Sequence, residues 1–253
     1  MGCCCGKESK KWEEEEGKVP SNKKLQKQRA DGNNNNNSGN AHHRDQDVQG
    51  GPVSVFKAVD PVKNRKDIIA TLEDNPNDTD ALTNYAIVLS AEGNDSEALV
   101  TLQKAVDIDP EKSRSWLAIA ELYERKNDKQ KAREVYEKSY KHASPKLALD
   151  GQDSDLLLNF AINCEKEGDY EKAEKLYKRV VTSGPTNTRG VGHYATFLAN
   201  VRKDNQKANL YFKQIADQEP SVSYWCHQYA LFLRDTLKDE STANIYFKKA
   251  SLN

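Results

Sequence analysis

The chain opens MGCCC, which places three of its five cysteines directly behind a glycine. Three chemistries suit these residues. A disulfide needs an oxidising compartment. Reaching one needs an apolar stretch of about 7–15 residues after a basic start, whereas CCC is followed by GKESKKWEEEEGK. There is also no run of about 18 apolar residues able to cross a bilayer as a helix, and mean hydropathy is −0.89. The chain is therefore expected to stay in the cytosol, with its thiols reduced. A structural zinc site wants four ligands in pairs such as C-x2-C. Adjacent cysteines chelate poorly, and His42-His43 is an isolated pair. Neither a metal nor another cofactor is expected. Acylation is the third chemistry. Once Met1 is removed, the Gly2 amine can take myristate and the thiols of Cys3, Cys4 and Cys5 can take palmitate as thioesters. A terminus without a role is the alternative.

The stretch resembles the N-termini of dually acylated membrane proteins. It departs from the pattern M-G-x-x-x-[ST] at Gly6, although Lys7 suits it. Two lipid sites have a physical purpose. One myristoyl chain binds a bilayer only marginally, at about 10^4 M⁻¹, and a second converts visiting into residence. Lys7, Lys10 and Lys11 lie beside the sites, but Glu13–Glu16 offsets much of their attraction for anionic lipid. The expected location is the cytoplasmic face of a membrane, the plasma membrane in particular.

These sites must be carried by something. Residues 1–52 include GNNNNNSGNAHHRDQDVQGGP, rich in Asn and Gly and short of core formers, and are expected to be a disordered tether. From about residue 77 a repeat begins. NYAIVLSAEGNDSEALVTLQKAV is followed by similar stretches, each with two apolar helical runs around a polar turn. A bulky residue and alanine mark the first run, at Tyr85-Ala86, Ile119-Ala120, Phe160-Ala161, Tyr194-Ala195 and Tyr229-Ala230. Ala98, Ala132, Ala173, Ala208 and Ala243 open the second, at spacings of 34, 41, 35 and 35 residues.

This pattern resembles the tetratricopeptide repeat (TPR), with its 34-residue period and A-x3-F element. The element stands as Ala132/Tyr136, Ala173/Tyr177, Ala208/Phe212 and Ala243/Phe247. The resemblance implies an all-α solenoid of about five helix hairpins over 77–253, with approximate repeats at 79–112, 113–146, 154–187, 188–222 and 223–253. Alanine suits a close helix crossing, where a larger side chain would overpack. Residues 53–76 are expected to be a linker and an N-terminal capping helix, with Asp60 as N-cap, Pro61 first, and Ile68, Ile69 and Leu72 covering repeat one. Seven extra residues near KHASPKLALDGQDSD are expected to disturb the superhelix and divide it into two arms. One extra residue is expected in the internal turn of repeats four and five. After Phe247 only KKASLN follows, so the last hairpin is expected to lack a cap and to offer a face for a partner or a second copy.

The resemblance further implies that the first helices line a concave groove that holds a peptide or protein surface. Carried onto this sequence, the groove positions are Asp80, Thr83, Asn84 and Ile87, then Arg114, Leu117 and Glu121, then Asp155, Asn159 and Ile162. Repeats four and five add Arg189, His193, Tyr224, His227, Gln228 and Arg234. Asn84, Arg114, Asn159, Arg189, His193, His227 and Arg234 are the candidate partner-binding residues. The late group is basic and aromatic, which favours an acidic partner segment; ordinary solvated charge is the alternative. No P-loop, G-x-S-x-G or H-E-x-x-H is present, so no enzyme is expected. The expected function is a membrane-tethered adaptor for an unidentified protein. A second resemblance, to half-a-TPR components of RNA-processing assemblies, rests on Trp116, Tyr123, Ala132-Arg133 and Tyr136. After residue 50 the chain carries 29 Lys and Arg against 31 Asp and Glu, so direct nucleic-acid binding is not expected.

Overall fold

A computed structural model describes residues 50–56, 61–142, 152–184, 187–218 and 223–251. Gly2, Cys3, Cys4, Cys5, the remainder of the stretch through residue 49, Asp60 and most of the inserted segment lie outside the described residues. The described chain is helical, and its helices pack in sequence order as a right-through solenoid of hairpins. Helix α1 (Pro61–Asp74) precedes five pairs. These are α2 (Thr79–Ala91) with α3 (Asp95–Ile108), α4 (Ser113–Arg125) with α5 (Lys129–His142), and α6 (Gln152–Lys166) with α7 (Tyr170–Ser183). Then come α8 (Thr188–Phe197) with α9 (Asn205–Gln218), and α10 (Ser223–Phe232) with α11 (Glu240–Ser251).

Every hairpin turns in the same way. A residue at positive φ ends the first helix: Gly93, Asn127, Gly168, Lys203 or Lys238. In four of the five, the following aspartate accepts a hydrogen bond from the backbone three residues on and starts the second helix. Asp128 accepts from the Lys131 N–H at 3.1 Å, and Asp204 and Asp239 do the same for Lys207 and Thr242. Asp169 serves Lys172. The extra residue of repeats four and five is not in this turn. It widens the last turn of the first helix into a π-helical one, at Leu198–Arg202 and Leu233–Leu237. The backbone shows the shift directly: Asp169 N–H bonds to Cys164 O, whereas Asp204 N–H reaches back one residue further, to Leu198 O.

The alanines that mark both helices of each hairpin are almost wholly buried, as close crossings require. In the three middle hairpins the aromatic of the second helix then packs on the first helix of the next repeat. Tyr136 lies 5.3 Å from Phe160, Tyr177 lies 5.3 Å from Phe197, and Phe212 lies 5.9 Å from Tyr229. No hairpin has enough apolar surface alone, and these contacts join each to its neighbour. They also cross the inserted segment, because the Tyr136–Phe160 pair spans it and Arg133 pairs with Glu167 at 2.5 Å and Asp169 at 2.6 Å. One apolar core runs from Val55 to Tyr246. The expected division into two arms is therefore not seen: stacking needs only that successive hairpins arrive in register. Ile68 on α1 is buried, with Ile69 and Leu72 partly covered, and α1 packs on α2.

Candidate functional site: the concave groove

The first helices of the five hairpins present equivalent positions, fixed by the bulky-Ala pair. The residue just before that pair is Asn84, Ala118, Asn159, His193 or Gln228. One turn earlier stand Asp80, Arg114, Asp155, Arg189 and Tyr224, and one turn later on α4 stands Glu121. Residues 50–56, GGPVSVF, cross this face without helical structure. Gly50 lies against Tyr224 on α10, so close that a Cβ there would be 2.1 Å from the ring. The Gly51 backbone lies beside the ring of His193 on α8. Asn159 on α6 takes both polar groups of one residue. Its Oδ1 accepts from the Val53 N–H at 2.8 Å, and its Nδ2 donates to the Val53 carbonyl at 2.7 Å. Glu121 on α4 accepts from the Ser54 hydroxyl at 2.5 Å and from the Val55 N–H at 3.0 Å. The Arg125 guanidinium covers the Phe56 ring at 4.3 Å. Seven residues thus touch four successive repeats. Helix axes pack about 8–10 Å apart, so the segment must be near full extension, at about 3.3–3.6 Å per residue.

Val55 is buried in the core, at 6% exposure, with Val53 and Phe56 packed beside it. The boundary expected at residue 52 therefore falls inside a segment that is seated as one piece.

Electrostatics follow burial. Removal from water raises the Glu121 carboxyl above its ordinary value, against the hydrogen bonds of Ser54 and Val55 and the charge of Arg125. Burial also raises Glu124 and Glu165. It lowers Arg114, which Asp80 partly offsets. His193 is pushed down to about 4, first by burial and then by Arg189 and Lys166, with the Gly51 backbone acting the other way. It is neutral at pH 7. Between pH 4 and 6.5 the unfolded chain binds this proton and the folded chain does not, so His193's contribution to stability rises with pH across that window. His193→Gln is expected to flatten the dependence of Tm on pH between 4 and 6.5. Thermal denaturation at a series of pH values reads this directly, and superimposable profiles would mean that His193 titrates as a free histidine.

Of the seven candidate partner-binding residues, Asn159 and His193 touch the seated segment. Arg114 and Arg189 share one register position on the same face. Asn84 stands on α2 at the position equivalent to Asn159, and its buried Oδ1 accepts no hydrogen bond among the described residues. His227 and Arg234 are placed elsewhere. They occupy the positions of Leu117 and Glu124, which face the next repeat: Leu117 is buried, and Glu124 accepts from Asn163. In the last hairpin His227 and Arg234 are exposed. The His227 ring meets Phe247 edge-on at 5.4 Å, and Arg234 lies 5.5 Å over the same ring while pairing with Asp235 at 2.7 Å. One helical residue is about 100° of rotation, and that separates His227 from Gln228 on the groove. The single basic late surface is therefore not formed. Thr83 is likewise a packing residue, its hydroxyl 2.7 Å from that of Ser115 on α4. Tyr224 and Glu121 touch the seated segment, at Gly50 and at Val55. No group of three or more metal-ligating side chains occurs among the described residues, and no helix among them is long and apolar enough to cross a membrane.

Stacked helix hairpins whose first helices carry an extended segment of the same chain define an α-solenoid. The fold is the tetratricopeptide-repeat form of that solenoid. Residues 113–141 match the tetratricopeptide repeat family model. Over 156 residues the chain is 48% identical to a TPR repeat-containing protein of Dictyostelium discoideum, an overlap of 62% of this chain and 59% of that protein. Among solved structures, BtubC from P. vanneervenii superposes with a TM-score of 0.62 at 14% identity, covering 76% of this chain and 87% of that one. YrrB, described as a TPR protein with an unusual peptide-binding site, gives 0.53 at 18% identity, covering 72% and 90%.

Proposed function

We propose that the chain is a membrane-tethered adaptor that holds an extended segment of a partner protein across its concave groove. The observation that carries the binding half is the pair of hydrogen bonds from Asn159 to both main-chain groups of Val53. Such a pair reads an extended backbone rather than a side chain, and main-chain hydrogen bonds are a source of affinity for extended segments. The tethering half rests on Gly2, Cys3, Cys4 and Cys5, with acyl chains at the cytoplasmic face of a membrane and the stretch through residue 49 as a leash. As an extended chain that leash reaches well over ~100 Å, and as a coil it averages about 40 Å.

The two halves are separable. In cells, Glu121→Ala with Asn159→Ala is expected to strip the array of the partners that proximity labelling finds for the full chain, while leaving its membrane fraction unchanged. Gly2→Ala is expected to do the reverse in fractionation. Retention of the same partners by the double variant would rule out the groove as the binding surface.

A further inference from the structure

The occupant of the groove belongs to the chain that forms it. Residues 57–60 alone separate Phe56 from the start of α1. We propose that residues 50–56 are a built-in occupant, and that the partner segment must displace them by presenting the same chemistry: an extended, uncharged stretch in which small residues are followed by aliphatic, hydroxyl, aliphatic and aromatic side chains. The proposal rests on the reading of the concave face as the adaptor's binding surface.

Each element of that chemistry has a reason in the contacts. Asn159 satisfies one donor and one acceptor of the main chain, so any extended segment can replace Val53 there. Glu121 takes a hydroxyl with one oxygen and the next N–H with the other, which selects serine or threonine at that step. The following side chain enters the core, as Val55 does, and the next lies flat beneath Arg125. At the other end, contact with Tyr224 admits glycine and nothing larger without a shift of the ring. An acidic segment is disfavoured at its centre, because Glu121 already sets a part-buried carboxylate against residues 54 and 55. A second carboxylate beside it would add like-charge repulsion to the cost of desolvation. This replaces the expectation of an acidic ligand.

Attachment makes the occupant a strong competitor. A short linker gives an effective concentration in the millimolar range, and the apparent affinity of any outside segment falls by the fraction of chains whose groove is open. The contacts are nevertheless mostly to main chain and side-chain tips, with no ladder of regular structure, so exchange for a better-fitting segment needs no unfolding of the repeats.

The experiment uses the full chain and a fluorescein-labelled synthetic peptide of sequence GGPVSVF. Val55→Asp sets a carboxylate against Glu121 and should eject the built-in segment. By fluorescence anisotropy, the peptide is expected to bind the Val55→Asp chain at least about tenfold more tightly than the wild type. Adding Glu121→Ala to that chain should abolish binding, because the acceptors of the Ser hydroxyl and the Val N–H are both removed. Equal affinity for wild type and Val55→Asp overturns the built-in occupant, and absent binding to a helical Val55→Asp chain overturns the recognition pattern. Loss of partners by the Glu121→Ala, Asn159→Ala chain alongside that result would leave the adaptor reading standing. A second measurement does not depend on the variant. In the wild type, the Val53 and Val55 amides should be protected from hydrogen exchange, and excess peptide should accelerate both. Unprotected amides overturn the proposal, as does a wild-type dimer by light scattering that Val55→Asp converts to monomer, which would make the occupant a second copy.

Discussion

Tyr177→Ala is expected to destabilise the array by about 3–5 kcal/mol, the range for removing a buried aromatic. The ring is fully buried between repeats three and four, 6.0 Å from Tyr194 and 5.3 Å from Phe197. Its hydroxyl donates to Glu165 at 2.6 Å. Alanine leaves a cavity at an inter-repeat contact and takes the donor from a carboxylate that burial already raises. Tyr177→Phe separates the two losses. It keeps the ring and removes one hydrogen bond to a charged group, worth about 1.5–3 kcal/mol. The larger change should lower Tm by roughly 6–20 °C, followed by circular dichroism. Because repeat arrays lose cooperativity when one interface weakens, hydrogen exchange should show the loss first in α7 and α8. A Tyr177→Ala chain as stable as Tyr177→Phe would mean that the ring does not couple the two repeats.

The same physics decides what could be read from the sequence. Alanine at a crossing and an aromatic four residues later are local demands of volume, repeated four times, so Ala132, Tyr136, Ala173 and Tyr177 declare the fold without coordinates. The groove is less legible, because a helix face is set by phase. Asn159 and His193 carry the right phase, while His227 is one residue out and lies exposed beside Phe247. The extra residue of repeats four and five is visible as a length. Whether it enters the turn or the helix depends on the hydrogen-bond choice made at Leu198 and Leu233, which no residue type dictates. The seated segment is the hardest case. GGPVSVF has no helical period and too few apolar residues to announce a core element. Its position comes from Tyr224, His193, Asn159 and Glu121, and these meet only after four repeats have stacked.

The other large effect is at the N-terminus. Gly2→Ala is expected to move the protein from membranes to the soluble fraction, because a thioester on a cysteine commonly follows myristate-driven sampling of the bilayer. Replacing Cys3, Cys4 and Cys5 together by Ser should instead leave weak binding that washing removes. The difference is one of chain number. Each buried CH2 contributes about 0.8 kcal/mol, yet a single myristoyl chain reaches only about 10^4 M⁻¹. A palmitoyl chain adds more methylenes than the myristoyl one and no second translational loss, so its removal should raise the off-rate by orders of magnitude. Charge cannot make up the deficit. Lys7, Lys10 and Lys11 would add about 1 kcal/mol each near an anionic leaflet, but Glu13–Glu16 follows at once and opposes them. The residual binding of the triple Ser chain should therefore depend on salt only weakly, since the net charge near the anchor is small. Fractionation with low- and high-salt washes, together with alkyne-fatty-acid labelling of each variant, measures all three quantities. A Gly2→Ala protein that stays in the washed membrane pellet would show that myristate is not the primary signal, and a triple Ser protein that resists washing would show that the cysteines carry no second chain.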